Sequence, residues 1–307
     1  MSHTLAEKIL QSHTDETVRE PGQIVNCRLS GVLANDITGS LAINSFRAMG
    51  AKRVFDKEKI FLVMDHFTPQ KDIESANQVL QCRAFAAETG VVHYYEGGNA
   101  GVEHALLPEL GLVGPGDLVI GADSHTCTYG GLGAFGTGLG STDIAAGMAT
   151  GELWFKVPPT IKAVFNGEAP RWIAGKDLML RLIGEIGVDG ALYRALEFHG
   201  RAIDDLDVEG RMSMANMAIE AGGKCGLFAA DEKTVTYCSE HGRPGAPRIA
   251  ADSDAEYERV VTFDVSGMEP LVACPHLPEN VKPVSEVKDI AVNQVVIGSC
   301  TNGRLSD

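Results

Sequence analysis

Three short apolar runs in this 307-residue chain each end abruptly on groups able to carry protons or bind metals. Ile60-Phe-Leu-Val-Met64 meets Asp65-His66, Leu118–Gly121 leads to Asp123-Ser124-His125-Thr126, and Val295–Gly298 meets Ser299-Cys300-Thr301-Asn302. Runs of this length, bounded by polar and glycine-rich turns, read as buried strands. Between the first two lies a helical stretch. Asp72 to Thr89 places Ile73, Ala76, Leu80, Ala84 and Ala87 at helical spacing and stops at Gly90, a natural C-cap. Strands alternating with helices predict an α/β chain with mainly parallel sheets, and such sheets take their ligands beyond the carboxyl ends of the strands. Taken singly, an Asp-His after a strand is an ordinary helix cap and a lone cysteine an ordinary core thiol. Three clusters placed in the same way point to one site on one sheet edge.

The remaining pattern extends the alternation. Thr4-Leu-Ala-Glu7 is a capping box that opens a short helix. Strands are expected over 23–29 and 91–95, and helices over 40–49, 102–110 and, after a glycine-rich loop, 142–154. Val157-Pro158-Pro159 breaks the chain. A second unit follows, with strands expected over 161–165 and 192–198 and helices over 177–186 and 212–221. On the last of these, Asn216 and Glu220 stand four residues apart and so share a helical face. The segment 278–283 reads as a linker, and 292–298 as the opening strand of a third unit. The expected division is 1–158, 159–283 and 284–307, the last an incomplete domain.

Charge narrows the function. Lys plus Arg number 26 against 41 Asp plus Glu, a net charge of −15 that repels polyphosphate, so neither nucleic acid nor an anionic membrane is an expected partner. The longest stretch free of charged residues, 124–142, holds six glycines and cannot be a membrane span. The N-terminus lacks a basic segment followed by an apolar one, and the seven cysteines are odd in number and scattered. Both features fit a reducing, cytoplasmic setting.

Asp65-His66, Gly121-Ala-Asp-Ser-His-Thr126, Asn216-Met-Ala-Ile-Glu220 and Gly298-Ser-Cys-Thr-Asn-Gly-Arg304 resemble, in order and approximate spacing, the motifs of the aconitase superfamily. The resemblance covers almost the whole chain and implies three-layer α/β/α domains with mainly parallel sheets. The compact N-terminal spacing is similar to the two-chain branch of the superfamily, in which a swivelling domain is a separate small subunit. That branch implies a hydro-lyase heterodimer acting on a small hydroxy acid. Isopropylmalate, in leucine biosynthesis, leads; homoaconitate and dimethylmalate chemistry are the alternatives.

The resemblance further implies a [4Fe–4S] cluster held by three cysteines. Cys300 matches the first, whereas the other two belong to a later CxxC, and no CxxC occurs here. The chain is therefore expected to be truncated, and as it stands not to hold the cluster or to work alone. His66 matches the acid that protonates the departing hydroxyl, with Asp65 beside it. His104, in Gly101-Val-Glu-His104, matches a histidine paired with Asp123, and His125 one paired with Glu220. Ser124 matches a donor to a substrate carboxylate. Asn35 stands where relatives carry glutamine or histidine at the substrate, and Asn216 matches a residue near the cluster. Two other classes are set beside this reading: an RNA-binding apo-protein, which the charge disfavours, and a mononuclear-metal hydrolase on Asp65, His66, Asp123 and His125.

Overall fold

A computed structural model describes residues 2–306. One parallel sheet has five strands, in the order His93–Tyr95, Ile60–Val63, Gly31–Asn35, Leu118–Gly121, Phe135–Gly138. Its three central strands are buried along their whole length, which is why they read as unbroken apolar runs without alternation. From Gly31–Asn35 the chain steps outward to one side, and from Leu118–Gly121 to the other. The crevice beyond these two strands is thus the switch point where an open α/β sheet offers a ligand site. Helices Gly39–Ala48 and Ile73–Thr89 pack beside it through Phe46 and Phe85, whose rings meet edge to face at 5.3 Å.

A second parallel sheet follows in the order Cys225–Leu227, Ala195–His199, Thr160–Asn166, Arg259–Asp264. Its core holds Phe165, Phe198, Phe228, Leu182 and Ile183, together with helix Gly175–Ile186. The two sheets are joined through a 3₁₀ helix, Ser124–Leu132, nine residues long where such helices usually run three or four. Gly130 makes the joint possible. A Cβ there would lie 1.6 Å from the Gly226 carbonyl oxygen, so only glycine lets the 3₁₀ helix lie against Cys225–Leu227. No helix among the described residues is long and apolar enough to cross a membrane.

Several expectations need correction. On Ile73–Thr89 the buried face is Ser75, Val79, Cys82, Phe85 and Ala86, while Ile73 and Leu80 are exposed; the bulk of Phe85 and Val79 decides the face. The glycine-rich loop contains the 3₁₀ helix and the strand Phe135–Gly138. The helix expected to reach Trp154 ends at Thr150, because Gly151 turns left-handed, and Glu152–Lys156 becomes a strand antiparallel to Ile24–Arg28. The helix expected over 212–221 runs Val208–Asn216 and then tightens into a 3₁₀ turn, Met217–Ala221. The presumed linker carries Val281–Pro283, a strand paired with Leu271–Ala273. Residues 292–298 form no strand: apart from a single bridge from Gly298 to Asn302, they have no regular structure and are exposed.

Candidate functional site

The polar turns after three neighbouring strands meet in the crevice at the switch point, held by carboxylates that cap one another's backbone. Asp36, directly after Gly31–Asn35, accepts hydrogen bonds from the amides of His66 at 3.1 Å and Phe67 at 2.6 Å. Asp65 accepts at 2.7 Å from the amide of Glu103, fixing the start of helix Glu103–Glu109 and thereby His104. Asp123 accepts from the His125 amide at 2.7 Å as the cap of the 3₁₀ helix. Gly138 leaves room for that turn, since a Cβ there would stand 2.6 Å from the Asp123 carbonyl oxygen. Each carboxylate satisfies donors that a strand end or helix start would leave orphaned.

Three imidazoles converge on Asp123. His104 Nε2 lies 3.0 Å and His125 Nδ1 3.6 Å from Oδ1, and His66 Nε2 lies 3.5 Å from Oδ2. His66 also holds Asp65 through Nδ1 at 2.7 Å, and His125 holds Glu220 through Nε2 at 3.3 Å. Hydrogen bonds to Asp123 and Asp65 push the His66 pKa up to about 11, against the opposing effect of burial. Asp123 and Glu220 push His125 up to about 10 in the same way. His104 differs, with only 1% of its surface exposed. Burial lowers its pKa despite Asp123, and Nδ1 faces the Tyr129 hydroxyl at 3.1 Å, the arrangement of a neutral ring that donates from Nε2 and accepts at Nδ1. For Asp123, burial works upward, but the bonds from His104, His125 and His66 outweigh it and hold the carboxyl far below its usual range. At neutral pH the open crevice therefore carries two imidazolium ions over one shared carboxylate.

Glu103, Asp36 and Tyr129 belong to this network and were not singled out from sequence. Glu103 is 1% exposed, its Oε1 accepts from Asn35 at 3.2 Å, and its Oε2 is buried without a partner. Burial, then the charges of Asp65 and Asp123, raise its pKa well above its ordinary value. Asp36 and Glu103 had a signal, since one follows a strand end and the other precedes His104. Tyr129 had none.

Asn35, which the resemblance sets at the substrate, lies at the end of strand Gly31–Asn35. It is buried, its amide donates to Glu103, and its oxygen accepts from Ile37, Thr38 and the Thr38 hydroxyl. Asn216 and Glu220 do not share one helical face: Asn216 ends its helix fully buried, and Glu220 sits half-exposed in the 3₁₀ turn. Ser124 is exposed beside His125, its Oγ 3.4 Å from Nδ1.

Cys300 is brought to the same region from the other end of the chain. Asn216 Nδ2 donates to its sulfur at 3.2 Å and to Thr128 Oγ1 at 2.8 Å, while Asn216 Oδ1 accepts from Thr301 at 2.7 Å. Ser213 donates to the Thr301 carbonyl at 2.5 Å. Cys127, the nearby thiol, is buried, pushed up to about 12 by that burial, and donates to the Asn216 carbonyl at 3.2 Å. Two sets of three ligating side chains have donor atoms within 4.8 Å of one another, Asp36–Asp65–His66 and His66–Glu103–Asp123; among the described residues neither set, nor any other, includes a cysteine.

Comparison with known proteins accounts for this geometry. The model of the aconitase family (aconitate hydratase) matches residues 7–307. Proteins named 3-isopropylmalate dehydratase large subunit from Nitratidesulfovibrio vulgaris (strain Miyazaki F) and Desulfovibrio desulfuricans are each 73% identical over all of this chain, which spans 73% of their own length. One of the same name from Halothermothrix orenii is 56% identical over the same extent. The chain belongs to the aconitase family.

Proposed function

We propose that this chain supplies the proton-donating wall of a hydro-lyase that interconverts 2- and 3-isopropylmalate in leucine biosynthesis. The observation that carries the reading is His66, which stands half-open at the switch point between Asp65 and Asp123. A carboxylate on each ring nitrogen keeps the imidazole protonated, the form an acid requires. Loss of hydroxide from a saturated hydroxy acid needs a proton on the leaving oxygen, and the departing hydroxide, conjugate base of water with its pKa of about 15.7, is basic enough to take that proton even from His66. In the reverse direction the same ring receives the proton from the entering water. Ser124, exposed at the mouth, donates to a substrate carboxylate, and His125 adds a second positive charge beside it. His104, neutral and buried, holds Asp123 in place from below. The base that removes the carbon-bound proton is assigned to a separate small subunit, and the setting to the cytoplasm, where the free cysteines stay reduced.

The family implies a [4Fe–4S] cluster, whose chemistry, when bound, is Lewis-acid activation of the hydroxyl. The thiols among the described residues do not fit three-cysteine ligation. Cys300 alone is presented to the crevice, its sulfur accepting from Asn216; Cys127 is spent as a buried donor; Cys27, Cys82, Cys225 and Cys238 lie buried, and Cys274 adjoins the Leu271–Ala273 strand.

The test joins this chain to the remaining part of the Nitratidesulfovibrio relative and supplies that organism's small subunit. Turnover is followed by the absorbance of the alkene acid. His66→Ala lowers kcat about 10²- to 10⁴-fold with little change in KM. Near-normal turnover in that variant overturns the assignment.

A further inference from the structure

Beside the Ser124 corner lies a cavity of about 350 Å³ between the two sheets, within the range of small-ligand sites. Its walls are Leu139 and Thr137 from the first sheet's side, Tyr193, Ile219 and Lys224 from the second's, and Ser124 where the cavity meets the crevice. Lys224 is its one ionisable cation. The side chain is half-buried, and its ammonium makes no hydrogen bond or ion pair among the described residues; the ring of Tyr193 lies 5.6 Å away. Asp143, in the first turn of helix Ser141–Thr150, favours the charge but does not reach it, and burial prevails, lowering the lysine's pKa. Lys156 approaches the same Tyr193 ring at 5.9 Å and adds a second positive charge.

Tyr193 itself is held at φ 59°, in the left-handed region that a bulky residue rarely adopts. Its amide is tied to the Gly222 carbonyl at 3.1 Å. Such backbone persists where the surroundings over-determine it, and it collects at ligand clamps. Here it turns the aromatic ring toward Lys224. A desolvated ammonium without a counter-charge is a standing cost that an incoming anion removes, and the apolar walls strengthen that pairing.

We propose that this cavity is a carboxylate subsite, with Lys224 pairing one carboxylate of a dicarboxylic hydroxy acid and Ser124 donating to it from the opposite wall. The inference rests on the hydro-lyase reading and adds to it a cation from the second sheet. The subsite selects for a second acidic group. A hydroxy acid with one carboxylate lacks the partner that Lys224 needs.

Calorimetric titration of the 307-residue chain with 2-isopropylmalate, and separately with inorganic phosphate, tests it. Lys224→Met weakens 2-isopropylmalate binding about 10- to 100-fold, the effect of a lost charged hydrogen bond. Lys224→Arg keeps it within about threefold, since either cation can hold a carboxylate. Amide resonances of 138–140, 192–193 and 222–224 shift on addition of 2-isopropylmalate. Lys224→Met melts no lower than the parent, because an apolar chain replaces a desolvated charge, so lost binding is not lost folding. An unchanged dissociation constant in Lys224→Met overturns the proposal, as does a parent chain that takes up neither probe. Phosphate binding as tightly as 2-isopropylmalate, with the same dependence on Lys224, also overturns it, since the cavity is then a general anion site. These results are separable from the hydro-lyase reading, because the joined enzyme reports on His66 independently.

Discussion

Ile60–Val63 and the stretch 295–298 are written in similar residues, and each leads into a polar turn, yet the protein treats them oppositely. Ile60–Val63 pairs with Gly31–Asn35 on one side and His93–Tyr95 on the other, and none of its residues exceeds 3% exposure. Val295, Val296 and Ile297 are 74%, 81% and 81% exposed and belong to no strand. The turns that follow are nevertheless both fixed. Asp36 holds the amides of His66 and Phe67, and Ser213 with Asn216 holds Thr301 and Cys300. An apolar run becomes a strand only when neighbours take up its backbone groups, whereas a polar turn can be placed by side-chain hydrogen bonds alone.

Hydrogen exchange gives the largest contrast. Amides in 60–63 exchange only through global opening, which in domains costs about 5–15 kcal/mol and slows exchange by at least about 10³-fold. Those of 295–297 exchange at near-free rates. Equal protection in the monomeric chain breaks the comparison.

Truncations give the next contrast. Leu62 is completely buried at the centre of the first sheet, so Leu62→Ala costs about 2–5 kcal/mol in urea unfolding. Ile297→Ala, with its side chain in solvent, stays within about 0.5 kcal/mol. A cost for Ile297→Ala close to that for Leu62→Ala means that 295–297 packs on something in solution.

The same contrast explains what could be read from sequence. Strand runs bounded by turns, apart from 292–298, follow local rules and are found, as are the capping box at Thr4 and Asp72 and Gly90 at the ends of their helix. The meeting of Asp65-His66 with Asp123-His125 followed from the strand-end rule plus parallel pairing. The 3₁₀ helix did not, because its glycines signal a loop unless one knows that Gly226 will press against Gly130. The role the resemblance gives Asn35 could not tell its structural partners, since its oxygen accepts from the turn it starts and its amide donates to Glu103, which lies 68 residues further on. The run at 295–298 failed for the complementary reason: its pattern was local, and its partners were not.

Asp123→Asn sharpens the account of the placed turns, with an intermediate effect. His66 and His125 are raised to about 11 and 10, so their contribution to stability is fully present below the unfolded value near 6.5 and is lost as pH rises through 10 to 11. Asp123, depressed, contributes above its unfolded value near 3.8 and loses that contribution as pH falls. Without the shared carboxylate both imidazoles fall toward their ordinary value, and the alkaline loss moves down into the range between about 7 and 9. NMR titration of the ring carbons follows the two pKa values, and urea midpoints show the variant weakened more at pH 6, where both parental imidazoles make their full contribution, than at pH 8.5, where part of that contribution is already lost. Unmoved histidine titrations show that Asp65 and Glu220 alone set the two protonation states.

The smallest effect is expected at the second turn. Ser213 donates to the Thr301 carbonyl and accepts from Asn302, so it pins the Cys300 turn to helix Val208–Asn216 from one side while Asn216 holds it from the other. Ser213→Ala removes one anchor and leaves the other. Global stability falls by about 1 kcal/mol or less, the value of an ordinary hydrogen bond. The local consequence is larger than the global one, because 292–298 adds no sheet pairing to hold the turn. Alkylation of Cys300 by iodoacetamide, followed by peptide mass analysis, therefore speeds up several-fold in Ser213→Ala. Five other thiols serve as the internal control, since Cys27, Cys82, Cys127, Cys225 and Cys238 are buried. If Cys300 reacts at the parental rate while the buried thiols stay silent, Asn216 alone suffices to place it. The double change with Asn216→Ala then has to release the turn; if Cys300 still reacts no faster, side-chain hydrogen bonds are not what places it.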